Sequence, residues 1–139
     1  MNLRAFRDYE KWVTCPAAMC SPLTISCQAS LTAVAAISLF DIDIRTAVTE
    51  ELKLIPAIQA SLSHQYVGVR YAACQCARAL SRAVSALRTN IVDTGLGMSV
   101  FQLFMKQDED RHVMHAASTV ICNVVTDFSP LRKVCGDNL

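Results

Sequence analysis

The sequence predicts an all-α fold. This prediction depends on two observations, the amino-acid composition and an internal repeat. In 139 residues, a length typical of one domain, there are only four Gly and four Pro. The chain holds 18 Ala, its apolar share is 53% and its aromatic share is 6%. Small aliphatic side chains with few turn residues favour closely packed helices. They argue against a β-sandwich and against a disordered chain.

Three long helices are predicted because three segments share an apolar stripe. The predicted helices cover Ile25–Leu39, Val67–Val84 and Glu109–Thr126. A shift of 44 residues aligns apolar residues at i, i+4, i+11 and i+15, which is one face of a helix. The aligned residues are Val69, Ala73, Leu80 and Val84 in the middle segment, Ile25, Ala29, Ala36 and Phe40 before it, and Val113, Ala117, Val124 and Phe128 after it.

Two shorter helices are predicted before each of the last two long helices. The first covers Arg45–Glu51 and Ser85–Asp93, and the second covers Leu54–Ser63 and Met98–Lys106. A shift of 43 residues aligns these copies and places Ala57–Leu62 on Val100–Met105.

Turn and capping residues set the predicted ends of these helices. Pro56 lies near the first helical position, where proline is tolerated, and Gly95 and Gly97 bracket a turn. Asp108 is expected to cap the last long helix, with Asp110 in its first turn.

A unit of about 43 residues with three helices resembles an armadillo repeat, whose neighbours stack into a right-handed solenoid. The residues that carry this resemblance are Ile91–Gly97, Val100–Met105, Val113, Ala117 and Ile121–Val124. A narrower resemblance is to the armadillo-repeat scaffold subunits of GID/CTLH-type ubiquitin ligases. It is carried by Val69–Cys74, Ala79–Arg82, Asp108–Arg111 and Asp127–Arg132.

The resemblance implies a non-enzymatic scaffold. Such a subunit docks a substrate receptor onto the other ligase subunits and so directs proteins to proteasomal degradation. The expected organisation is an N-terminal segment 1–23, a partial repeat 24–40, repeats 41–84 and 85–128, and a truncated repeat 129–139. This makes about two and a half repeats, and family members are several times longer, so the chain is expected to be a piece of a longer protein. A generic armadillo adaptor that binds extended peptides is the alternative.

The candidate partner-binding residues lie on the predicted concave face of the long helices. They are Asn123, Thr119, His112, Gln75, Arg82 and Arg78. An Asn amide can bond a peptide backbone, and paired Arg side chains can bind carboxylates. The alternative for Asn123 is a solvated polar residue, and for the Arg set (Arg70, Arg78, Arg82 and Arg88) it is a solvated face.

The sequence pattern supports neither a metal site nor a catalytic site. Cys74 and Cys76 point about 200° apart on a helix, so with His112 and His115 they do not form a zinc site. Arg70 and Arg78 would lower the pKa of the Cys74 thiol, but no catalytic motif accompanies it. The carboxylates of Asp108, Glu109 and Asp110 fit a helix N-terminus. No metal, cofactor or enzyme activity is expected.

The net charge and the cysteine content restrict the classes of partner and the cellular compartment that are expected. Thirteen basic against twelve acidic residues give +1, which argues against nucleic acid as a partner. Seven Cys in mostly apolar surroundings, and no apolar leader in Met1–Glu10, predict a reduced, intracellular protein. Within the cell we expect it in the cytoplasm and nucleus.

One segment offers a different interpretation. Residues 12–40 are uncharged and long enough to span a bilayer, so a small membrane-anchored protein is a further alternative. Pro16, Pro22 and Gln28 make such a span unfavourable, and a membrane partner is not expected.

Overall fold

A computed structural model describes residues 21–82 and 94–128 of the chain. These residues form helices and no strand, which confirms the all-α prediction for this part of the chain. The helices are α1 (Pro22–Ser38), α2 (Ile42–Thr46), α3 (Ile55–Ser61), α4 (Val67–Leu80), α5 (Leu96–Phe104) and α6 (Arg111–Phe128). A π-helical turn, Ala47–Glu51, continues α2 without a break.

The long helices pack side by side in chain order. Helix α4 lies between α1 and α6 and contacts both, while α3 packs on α4 and α5 packs on α6. The core is centred on α4, whose Val69, Ala73, Cys76 and Leu80 are at most 1% exposed. Val69, Ala73 and Leu80 of the predicted middle stripe are therefore buried as expected, whereas its last member, Val84, lies outside the described residues. Val113 and Ala117 of α6 are buried as well.

Small residues let α1 and α4 approach closely. A Cβ atom on Gly68 would lie 2.7 Å from Oε1 of Gln28 on α1 and 2.8 Å from a ring carbon of Tyr66. Ala72 and Ala79, one and three turns after Gly68, are also buried on α4. A larger side chain at position 68 would have to displace Gln28.

The helix ends follow capping chemistry, with two corrections to the prediction. The N-cap of α6 is Asp110, whose Oδ1 accepts the His112 N–H at 2.7 Å, so Asp108 is not the cap. Gly95 precedes α5 in a left-handed conformation (φ 74°), but Gly97 lies inside α5 and not at the end of the turn. The N-cap is the residue whose side chain accepts a hydrogen bond from an unpaired backbone N–H of the first turn. Sequence spacing alone did not show whether Asp108 or Asp110 does so.

The predicted stripe of the first long helix is wrong. Ile25 is 57% exposed and Phe40 is 88% exposed, and Ala29 and Ala36 are exposed as well. Helix α1 instead buries Leu31, Ala35 and Ser38. Apolar residues lie on nearly every side of α1, so periodicity did not determine which side packs against α4.

The residues that the 43-residue shift aligns in the shorter helices do not pack alike. Ile58 and Leu62 of the α3 region are buried, but their aligned partners Phe101 and Met105 are 44% and 61% exposed. Helix α5 buries Leu96, Val100 and Leu103 instead. Because α5 carries apolar residues on two faces, a sequence match does not show which face packs against α6.

Several predicted elements lie outside the described residues. The helix Ser85–Asp93, nearly all of the segment 1–23 and the repeat 129–139 belong to this group. Helix α4 ends at Leu80, short of the predicted Val84. The division of the chain into repeats stays a prediction.

Candidate functional site

Six predicted partner-binding residues come from the two neighbouring long helices α4 and α6. We call this surface the α4–α6 face. It comprises Gln75 and Arg78 on α4, Arg82 in the turn that follows α4, and His112, Thr119 and Asn123 on α6. Gln75 and Arg78 are three residues apart on α4, so they share one side of the helix. Each of the six is at least partly exposed.

Asn123 has a hydrogen-bond partner that sequence reasoning missed. Its Nδ2 donates to Oγ of Ser81 at 2.9 Å, across the contact between α6 and the end of α4. The Ser81 hydroxyl is buried and donates to the Arg78 carbonyl at 2.9 Å. One N–H of the Asn123 amide therefore holds the two helices together and is not available to a peptide in this arrangement.

Two other residues of the face are held by their own helix. The Thr119 hydroxyl donates to the His115 carbonyl at 3.1 Å. The Nδ1 atom of His112 lies 3.3 Å from Oδ1 of Asp110, the residue that caps α6. These contacts orient both side chains at the surface of α6.

The arginines of α4 divide into two kinds. Arg70 makes a two-pronged ion pair with Glu109, from Nε to Oε2 at 3.0 Å and from Nη2 to Oε1 at 2.7 Å. Within residues 21–82 and 94–128, Arg78 and Arg82 have no acidic partner within salt-bridge distance. Arg70 is therefore structural, while Arg78 and Arg82 present their charge to solvent. Arg88 lies outside the described residues.

Glu109 has a role that sequence reasoning did not assign. The sequence predicts it as one of three carboxylates at a helix N-terminus, but its side chain is 1% exposed and bound to Arg70 of α4. The two residues are 39 positions apart, so no local motif marks the pair.

The α4 thiols are not activated. Burial, more than any other effect, raises the pKa of Cys74 to about 12, and the negative charge of Glu109 adds to this increase. Arg70 lowers the pKa of Cys74 as expected, but burial has the larger effect, so the expected net lowering of this pKa is wrong. Burial likewise raises the pKa of Cys76 to about 12. A thiol that stays protonated is a poor nucleophile and a poor metal ligand.

The described residues hold neither a metal-binding cluster nor a membrane-spanning helix. Across residues 21–82 and 94–128, no three His, Cys, Asp or Glu side chains come together as a metal site would require. None of the helices α1 to α6 combines the length and apolar character needed to cross a bilayer.

About three quarters of the chain aligns with two curated proteins. It is 33% identical over 106 residues to "Armadillo repeat-containing protein 8" of Danio rerio. It is 36% identical over 103 residues to "GID complex subunit 5" of Schizosaccharomyces pombe. These alignments cover 76% and 74% of this chain but only 16% and 13% of the relatives, so the chain spans a small part of their length.

The predicted resemblance is confirmed by these names, because one relative is an armadillo-repeat protein and the other a GID complex subunit. No family model matches the chain. No solved structure matches it significantly either.

Proposed function

We propose that the chain is a piece of a non-enzymatic armadillo scaffold in a GID/CTLH-type ubiquitin ligase, where it docks a substrate receptor for proteasomal degradation. The proposed architecture is a right-handed solenoid of about two and a half three-helix repeats, acting in the cytoplasm and nucleus. The observation that carries the proposal is the similarity to the GID complex subunit, together with long helices that pack in chain order.

The packing order supports a role in holding other proteins. Helix α4 contacts α1 on one side and α6 on the other, as the middle member of a stack does. Each helix thereby leaves one long side exposed, and stacked units combine these sides into one extended surface. Such a surface suits an extended peptide better than a small substrate, which needs an enclosed pocket.

Charge on the α4–α6 face supports an acidic partner segment. Arg78 and Arg82 are one turn apart, and neither is neutralised by a described acidic residue. A guanidinium group binds a carboxylate through two parallel hydrogen bonds, which gives both attraction and orientation. The polar side chains of Gln75, Thr119 and His112 line the same face and are proposed to contact the partner.

Asn123 is proposed to contribute to this face through the part of its amide that Ser81 does not use. The Asn123–Ser81 bond occupies one N–H, and an Asn side chain has a second N–H and a carbonyl oxygen. Fixing the amide in this way removes rotamer freedom before the partner arrives, which favours binding.

The test is co-purification of the tagged chain with the separately produced subunits of a GID/CTLH-type ligase. We expect retention of the substrate receptor or a core subunit, and loss of retention in Arg78→Glu. Lys106→Glu, which makes the same charge change at an exposed residue after α5, is the matched control. Capture of unrelated acidic peptides without any ligase subunit would instead indicate a generic peptide-binding adaptor.

A further inference from the structure

Helix α4 carries a buried thiol on each of its two packed sides. The Cys76 thiol donates to the Leu31 carbonyl of α1 at 3.0 Å. Cys74 lies on the opposite side, which faces α6, and it is fully buried. We call the contact between α4 and α6 the α4–α6 seam and the contact between α1 and α4 the α1–α4 seam. Each seam therefore buries one of the two α4 cysteines.

Polar contacts close the α4–α6 seam on both sides of Cys74. Arg70, Cys74 and Ser81 follow at i, i+4 and i+11, so they share the side of α4 that faces α6. Arg70 pairs with Glu109 at the start of the seam, and Ser81 accepts from Asn123 at its end. Cys74 lies between these two contacts along the helix.

The contact at the Arg70 end is the stronger of the two. The Arg70 guanidinium makes two hydrogen bonds to Glu109, and its Nη1 also donates to the carbonyls of His64 and Gln65 at 2.8 Å each. Oε1 of Glu109 further accepts the Asp110 N–H at 2.9 Å. Paired charges with several hydrogen bonds hold more strongly than one neutral hydrogen bond such as Asn123 to Ser81.

Burial makes this pair costly to break. The side chain of Glu109 is 1% exposed and that of Arg70 is 15% exposed. Removing one partner leaves the other charge buried and uncompensated unless the helices move apart to let in water. Loss of the pair therefore favours a state in which α4 and α6 separate near Cys74.

We infer that the Arg70–Glu109 pair is a latch that keeps the α4–α6 seam closed over Cys74, so that this thiol becomes reactive only when the seam opens. Cys76 belongs to the other seam and stays protected while the α4–α6 seam opens. A partner that separates α4 from α6 would expose Cys74 by the same route.

The experiment measures alkylation of each cysteine by N-ethylmaleimide at neutral pH, using the full chain. Tandem mass spectrometry of the peptide Tyr71–Arg78 distinguishes Cys74 from Cys76, and exposed Cys122 calibrates the reagent. We compare the parent with Glu109→Gln, which keeps the shape and removes the charge. Glu51→Gln, the same change at an exposed glutamate, is the matched control.

We expect Glu109→Gln to accelerate alkylation of Cys74 roughly ten-fold or more, because labelling follows the population of the open seam, and to leave Cys76 unchanged. Arg70→Lys, which keeps the charge but loses the two-pronged geometry, should act in the same direction and less strongly. It provides the test if Glu109→Gln does not fold. An unchanged Cys74, or an equal acceleration at both cysteines, would overturn the inference.

Discussion

Nδ2 of Asn123 donates to Oγ of Ser81 at 2.9 Å, and this hydrogen bond joins α6 to the residue that ends α4. Ser81 is 1% exposed, so its hydroxyl has little access to water when the bond is lost. A residue that the sequence marks for partner binding thus also holds two helices together. Effects of Asn123 substitutions on binding have to be separated from effects on stability.

Asn123→Ala is expected to lower the free energy of unfolding by about 1 kcal/mol, because a buried hydroxyl loses its donor. Ser81→Ala should cost a similar amount, and the double variant should cost less than the sum of the two. Urea denaturation of the four proteins gives the coupling energy directly. Thr119→Ala, whose hydroxyl bonds only within α6, is the control and should show no coupling to Ser81. Strict additivity of Asn123→Ala and Ser81→Ala would contradict this hydrogen bond.

Leu80→Asp is expected to cost several kcal/mol and to abolish the cooperative thermal transition, because an unpaired carboxylate would enter the core. Leu80 is 1% exposed, whereas Val124 of α6 is only partly buried. Val124→Asp should therefore cost less than Leu80→Asp. Circular dichroism melting curves measure both variants, with Leu52→Asp, at a residue 62% exposed, as the tolerated control. Unchanged melting of Leu80→Asp would show that α4 does not pack as described.

Two glycines in helices should respond to alanine in opposite directions. Gly68→Ala brings a Cβ within 2.7 Å of the Gln28 side chain, so we expect a loss of about 1 kcal/mol despite better helix propensity. Gly97→Ala meets no atom within 4 Å and should gain about 0.5 kcal/mol. Thermal denaturation measures both. The pair Gln28→Ala with Gly68→Ala should recover part of this stability, because the Tyr66 ring stays 2.8 Å from the added Cβ. Absence of any recovery would mean that Gln28 does not limit the approach of α1 to α4.

The sequence determined the packing of α4 and α6 better than that of α1 and α5. In α4, the stripe of Val69, Ala73 and Leu80 is the side that the structure buries. Helix α4 also carries polar residues such as Gln75 and Arg78 on its exposed side, so the pattern had a single solution. In α1, apolar residues occur on nearly every side, and the predicted stripe proved to be the exposed one.

The candidate site could be predicted only in part from the sequence, for a different reason. Helical spacing predicts that Gln75, Arg78 and Arg82 share one side of α4. Gln75 and Arg78 lie on α4 and are partly exposed, but α4 ends at Leu80, before Arg82. The contacts of Asn123 with Ser81 and of Arg70 with Glu109 join residues about 40 positions apart. Such pairs depend on how helices are stacked, and periodicity within one helix holds no information about them.

Stability should fall as the pH rises above about 9. The pKa of Cys74 and that of Cys76 are raised from 9.0 to about 12 in the folded protein, mainly by burial. Between these values the unfolded chain loses thiol protons that the folded chain retains, so alkaline pH favours unfolding. The slope of the free energy of unfolding against pH should be about −1.4 kcal/mol per pH unit for each thiol.

Urea titrations between pH 8 and roughly 10.5 measure this slope. Cys74→Ala should have a shallower slope than the parent, whereas Cys122→Ala, at an exposed position, should not; equal slopes would contradict the raised pKa of Cys74.

Arg82→Glu is expected to weaken partner binding and to make its salt dependence shallower. Arg82 is exposed and, among described residues, has no acidic partner, so an acidic segment would meet its charge directly. Reversing the charge turns attraction into repulsion, and added salt screens either interaction. Calorimetric titration against the substrate receptor at two ionic strengths should show a loss of roughly ten-fold or more at low salt and a smaller loss at high salt. Lys106→Glu is the charge-matched control for binding. Far-UV circular dichroism verifies that Arg82→Glu keeps its helices. Because Arg82 lies at the end of α4 and packs in no core, the fold should tolerate the change. Equal binding of Arg82→Glu and the parent at both salt concentrations would mean that the partner uses another surface of the stack.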